Sequence, residues 1–187
     1  MANGSTHRYV AFLRAINVAG HAIIRMTDLR EAFADAGCRG VQTYIQSGNV
    51  VFDSADTDEA RLFQRIRAKV GALIGAEPGI VFRTARQIDA LVRAAPFKAF
   101  ETESALKLYV VCLAERPSVR PRFPLRLPKD ALEAVGMKGL DVLVVSRRKP
   151  TGFYGFPNNF LENELGVPAT SRNWTTVTRM AEMVRAS

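Results

Sequence analysis

Cysteine and histidine are scarce in this sequence: Cys38, Cys112, His7 and His21 are the only ones in 187 residues. Two cysteines cannot build a disulfide framework or a cysteine-rich zinc site. The two histidines lack the spacing of a metal-binding pair, and Cys38 follows the expected C-terminus of a helix, where the dipole disfavours a thiolate. No metal and no cofactor are therefore expected. Glycine-rich phosphate or dinucleotide loops are absent too, Gly20 standing alone between Ala19 and His21. No Gly-x-Ser-x-Gly elbow offers a nucleophile for a hydrolase triad. No stretch approaches the ~20 apolar residues of a membrane span. Residues 1–8 are too polar for the apolar core of a secretory signal. A cytoplasmic location without membrane contact is the expectation.

Hydrophobic residues make up 48% of the chain and charged residues 24%, enough apolar surface to offset chain entropy in one domain or two small ones. Lysine and arginine number 26 against 18 acidic residues, a net charge of +8. Such a balance favours polyanionic partners by long-range attraction. The excess is regional, however. Residues 105–150 hold ten basic and four acidic side chains, whereas residues 1–104 are nearly balanced and residues 151–187 are neutral. A basic surface without a dedicated polyanion is the simpler account of this distribution.

The first half reads clearly. Tyr9–Leu13 is a short bounded apolar run, a buried strand. From Thr27 the apolar residues Leu29, Ala32, Phe33 and Ala36 keep helical period, and Gly37 stops it. Val41, Thr43 and Ile45 alternate with polar neighbours, Ser47-Gly48-Asn49 turns the chain, and Val50–Phe52 resumes, which together predict a hairpin. Asp56 to Glu59 opens a second helix through Phe63, Ile66 and Val70. Ile80–Phe82 is a further strand, and Thr84 to Gln87 is a capping box for a helix that Pro96 ends. This order, β-α-β-β-α-β, is that of the ferredoxin-like split unit. Its first strand is apolar on both faces, so something must cover the face opposite the helices, and the second half is the candidate.

That half opens with a central strand over Leu106–Leu113. Proline and arginine crowd residues 115–128, predicting an extended loop. Lys129–Val135 reads as a short helix or turn, Leu140–Val145 as a strand, and Gly152–Phe156 as another. Helices are expected over Asn158–Leu165 and Asn173–Arg185, the latter capped by Asn173. The fold class is therefore α+β: a ferredoxin-like half, residues 8–96, packed on a smaller, degenerate α+β half, residues 105–187.

This topology yields one constellation. The end of the first strand, the hairpin tip and the start of the first helix share an edge. Arg14, Asn17, Gly20, His21 and Arg25 leave the strand there, beside Gln46, Ser47, Gly48 and Asn49. Arginines, carboxamides and a helix N-terminus suit a phosphate or carboxylate group. The competing reading is structural: Gly48 and Asn49 supply turn conformations and Asn17 braces its loop on backbone. Arg172 and Trp174, at the start of the last helix, join the candidate ligand residues through charge and stacking, or else anchor that helix. A second hypothesis is nucleic-acid binding through Arg116, Arg120, Arg122, Arg126, Arg147, Arg148 and Lys149, near the aromatic run Phe153-Tyr154-Gly155-Phe156. No RNA-recognition signature accompanies it. A third is a structural module, either monomeric or a homodimer through an open sheet edge.

Three ordered motifs, Tyr9-Val-Ala-Phe-Leu-Arg-Ala-Ile-Asn-Val-Ala-Gly20, Thr43-Tyr-Ile-Gln-Ser-Gly-Asn-Val-Val-Phe52 and Thr170-Ser-Arg-Asn-Trp-Thr-Thr-Val177, make the chain resemble the bacterial family called domain of unknown function 1697. The likeness runs from about Arg8 to Val184. It implies α+β structure with ferredoxin-like parts and brings no reaction or catalytic residue. Its motif positions include Arg14, Asn17, Gly20, Gln46, Ser47, Gly48, Asn49, Arg172, Asn173 and Trp174. The first motif usually has glycine where this chain has Ala15, and often where it has Ala19, which makes this loop less free to approach a ligand.

Overall fold

Residues 6–17 and 23–186 are described by the computed structural model. By its contacts the chain divides into two units, residues 1–89 with 180–187, and residues 90–179.

The first unit is built from β1 (His7–Leu13), α1 (Met26–Asp35), β2 (Arg39–Tyr44), β3 (Asn49–Ser54), α2 (Glu59–Ile74) and β4 (Ile80–Thr84), followed by the start of α3 (Ala85–Arg93). Its sheet is antiparallel with the order β2-β3-β1-β4. Tyr9, Ala11 and Leu13 of β1 pack with Val50 and Phe52 of β3 against Leu29 and Phe33 of α1 and Leu62, Ile66 and Val70 of α2. These positions lie three or four apart on each helix, the spacing that presents one stripe to a sheet. Val10 and Phe12, on the other face of β1, are equally buried, both at 0% exposure. Local chemistry fixes the helix ends. Asp58 caps α2 by accepting from Arg61 N, and Gly75, at φ +70°, ends it. At α3 the capping box is reciprocal: Gln87 N donates to Thr84 Oγ1 (3.1 Å) and Thr84 N to Gln87 Oε1 (2.8 Å).

The second unit carries β5 (Leu106–Leu113), β6 (Leu125–Leu127), β7 (Leu132–Lys138), β8 (Asp141–Arg147), α4 (Asn158–Leu165), β9 (Ala169–Asn173) and the first part of α5 (Trp174–Arg185). Its antiparallel sheet has the order β6-β7-β8-β5-β9. Tyr109, Val111, Leu113, Ala134, Val142 and Val144 from its strands meet Phe160 and Leu161 of α4 in one core. Among the described residues the protein is thus an α+β structure with two antiparallel sheets and five α-helices.

The second half departs from expectation in four places, the first being Leu125–Leu127, which pairs with β7 as strand β6 inside the expected loop. Where a short helix or turn is expected over Lys129–Val135, only Pro128–Asp130 forms a 3-10 turn, and β7 begins at Leu132. Its alternation of buried Leu132 and Ala134 with Glu133 and Val135 is too brief to stand out, because the pairing with β8 shifts register between Ala134 and Gly136. Gly152–Phe156 is no strand beyond one bridge, Arg148 with Tyr154. There a β-carbon at Gly155 would run into Asp130 O and the Leu132 side chain, so only glycine fits. Residues 169–173, where the sequence reading assigns no element before the cap Asn173, form edge strand β9. Its Thr170, Ser171 and Arg172 are buried although polar, so no hydrophobic alternation marks them.

Candidate functional site

β1 runs out at Leu13, and two other loops close on that point. Leu13 N donates to Gly48 O of the β2–β3 turn at 2.8 Å, and Arg14 N donates to Gly79 O, just before β4, at 2.7 Å. Gly48 adopts φ +71°, and a β-carbon there would sit 2.6 Å from Leu13 Cβ. Only glycine lets the hairpin tip come so close. Ala15 and Asn17 also take positive φ, 53° and 55°. Both lie in the left-handed region that residues other than glycine seldom adopt.

The candidate residues divide by what their side chains do. Asn17 is a brace: its Oδ1 accepts from Ile24 N (2.7 Å), while its Nδ2 donates to Ile24 O (3.0 Å) and Gln46 O (2.9 Å). One carboxamide thereby joins the β1 loop, the entry to α1 and the hairpin tip. Asn49 is fully buried and does the same within the hairpin, donating to Tyr44 O (3.0 Å) and Ser47 Oγ (2.9 Å). Arg14 and Gln46 are exposed on the rim these braces hold, with Ser47 partly exposed beside them. The structure therefore brings Arg14, Asn17, Gln46, Ser47 and Asn49 together, but as two kinds of residue. Gly20 and His21 lie outside the described residues.

The start of α1 has no side-chain cap on Arg25. Asp28 in its first turn accepts from Arg25 Nε (2.9 Å) and Thr27 Oγ1 (3.1 Å), and the Arg25 guanidinium holds its carboxyl below the usual range. The positive end of the dipole thus already faces a carboxylate.

Arg172 and Trp174 belong to the second unit. Arg172 is buried on β9, with Nη1 donating to Thr170 Oγ1 (2.8 Å) and Ser171 O (2.9 Å). Burial pulls its pKa down to about 10. Trp174 opens α5 and meets Phe97 edge-on, with centroids 5.2 Å apart.

The basic residues of the nucleic-acid reading are partly neutralised. Arg126 and Arg147 both bind Glu133, at 2.8 and 3.0 Å, Arg147 also reaches Glu103, and Lys149 pairs with Asp130 at 2.7 Å. Arg148 Nε donates to Gly152 O, and Arg120 and Arg122 are exposed between β5 and β6. Sequence reasoning gives no weight to Lys107, whose ammonium lies 4.7 Å above the Tyr154 ring. The only hint was a lone charge in an otherwise apolar strand. Among the described residues no group of three or more His, Cys, Asp or Glu side chains could hold a metal ion, and no helix is long and apolar enough to cross a membrane.

Two antiparallel sheets with braced loops define an α+β protein. The chain belongs to the family of proteins of unknown function DUF1697, whose model matches residues 6–142. It is similar in structure to the conserved bacterial protein SP0830 from Streptococcus pneumoniae, with a TM-score of 0.67 at 18% identity, over 96% of this chain and 99% of that one. No curated protein matches.

Proposed function

We propose that the rim joining the end of β1 to the β2–β3 turn binds a small anion, a phosphate or carboxylate group, without acting on it chemically. The meeting of the loops carries this reading: Leu13 N on Gly48 O, and Asn17 Nδ2 on Gln46 O, hold exposed Arg14, Gln46 and Ser47 along one rim. A guanidinium, a carboxamide and a hydroxyl offer the charge and donors that an oxyanion needs. Asn17 and Asn49 serve by fixing backbone, so contact falls to the other three. The element order and the strand order β2-β3-β1-β4 support reading the first unit as a ferredoxin-like split β-α-β fold.

Titrating the protein with inorganic phosphate and with acetate, while following backbone amide resonances, tests this. Saturable shifts are expected at Arg14, Gln46 and Ser47. Arg14→Ala should weaken binding about tenfold or more, since a charged hydrogen bond contributes roughly 1.5–3 kcal/mol. If neither anion moves those resonances at tens of millimolar, or if Arg14→Ala titrates like the wild type, the rim is not an anion site.

A further inference from the structure

Each of the two sheets has two edge strands, and on three of the four the chain obstructs further pairing itself. On β4, Arg14 N donates to Gly79 O, so Ile80, Phe82 and Thr84 direct their backbone groups outward. Arg67 Nη2 donates to Ile80 O (3.2 Å), Arg83 Nη1 to Phe82 O (2.8 Å), and Thr84 N to Gln87 Oε1 (2.8 Å). On β9, Ala169 N donates to Glu162 Oε1 (2.8 Å) and Ser171 O accepts from Arg172 Nη1 (2.9 Å). β6 is three residues long, with Pro124 and Pro128 at its ends and no N–H on either. The edge of β2 carries no such device. Leu13 N donates to Gly48 O, so Val50 and Phe52 face β1 while Asn49 and Val51 face β2. Their partners Tyr44 and Gln42 therefore turn their backbone groups toward β3. Across the planar peptides, Val41 O, Thr43 N and Thr43 O point the other way. Nothing among the described residues bonds those three groups.

We propose that this edge pairs with the same edge of a second copy of the chain, antiparallel and about a two-fold axis at Gln42. The two four-stranded sheets then become one continuous sheet. In that register Thr43 N of each chain donates to Val41 O of the other. Val41 stands opposite Thr43 on the face that carries α1, two β-branched residues suited to a cross-strand pair, and Gln42 stands opposite Gln42 on the other face. No charge opposes a like charge there. The wall behind the edge is self-complementary as well. Arg30 and Glu31 of α1 line a cavity of about 370 Å³ beside Gly40 and Val41. A second copy brings a guanidinium and a carboxylate to a surface that carries the same two, the match that an isologous interface requires.

So short a contact makes a weak dimer, with a dissociation constant on the order of tens of micromolar. Sedimentation equilibrium from micromolar to millimolar protein should follow a single monomer–dimer equilibrium. Thr43→Pro removes the outward N–H without touching a bond to β3, and should raise the dissociation constant about tenfold or more. Thr43→Val, which loses only the hydroxyl that Arg30 Nη1 holds at 2.9 Å, should dimerise like the wild type. Gln42→Lys and Gln42→Glu each set like charges across the axis, and each alone should dimerise about fivefold more weakly. Mixed in equal amounts, the two should restore the dimer. A chain that stays monomeric at millimolar concentration overturns the proposal. So does a dimer that Thr43→Pro leaves intact, or a mixture of the two Gln42 variants that pairs no better than either alone.

Discussion

Ala15 holds a backbone angle that its side chain opposes. At φ +53° its β-carbon crowds the following carbonyl, which costs about 1–2 kcal/mol. The loop accepts this because Leu13, Arg14 and Asn17 are tied on either side, to Gly48 O, Gly79 O and Gln46 O. Glycine would remove the crowding and lose roughly 0.5–1 kcal/mol to a more flexible unfolded chain. Ala15→Gly should therefore stabilise the protein by about 0.5 kcal/mol, and thermal denaturation should show a midpoint raised by about 1–2 °C. A lowered midpoint would mean that Ala15 holds its positive φ with less strain than glycine's extra chain entropy costs. The family resemblance, which places glycine at this position, is thereby given a conformational cause. The sequence marks which residues gather at the rim but not their division of labour. An asparagine side chain bonds backbone or ligand with the same atoms, and only the placement of Ile24, Gln46 and Tyr44 decides that Asn17 and Asn49 brace.

Among the elements, legibility followed hydrophobic contrast. β1, α1, the β2–β3 hairpin, α2 and β4 are strongly periodic and bounded by glycine or capping residues, so their order can be read directly. β7 and β9 cannot be read that way: one shifts register between Ala134 and Gly136, and the other buries threonine, serine and arginine. What secures β7 is partly ionic. Glu133 accepts from Arg126 of β6 and Arg147 of β8, so one carboxylate ties three adjacent strands. Those guanidiniums, Arg126 foremost, hold its carboxyl below the ordinary value of 4.5. A carboxyl with a lower folded than unfolded pKa adds stability above the unfolded value, and loses it as the pH falls through the folded one. Glu133→Gln should thus cost about 0.5–1 kcal/mol at neutral pH, the upper part of the range for ion pairs whose arginines face solvent. The difference should vanish once the pH is well under 4.5. Urea midpoints of wild type and variant at both pH values check this. A gap that persists in acid would assign the effect to packing.

At the scale of the whole molecule the net charge of +8 overstates what a polyanion meets. Of the seven cations named for the nucleic-acid reading, Arg126, Arg147 and Lys149 are held by Glu133, Glu103 and Asp130. Arg116, Arg120, Arg122 and Arg148 make no ion pair among the described residues, and these four are what a nucleic-acid strand would find. Each phosphate neutralised on a single strand releases about 0.7 counterion, so the logarithm of the binding constant should fall with the logarithm of salt at a slope of about −3. A surface that used all seven would give about −5. Fluorescence anisotropy of a labelled oligothymidylate across a salt series measures this directly. The shallow slope is the expected result, with binding lost near physiological salt, because four scattered contacts supply no more than non-specific attraction. The steep slope would show instead that the nucleic acid displaces Glu133, Glu103 and Asp130 from their partners, turning the basic region from a self-neutralised surface into a binding face.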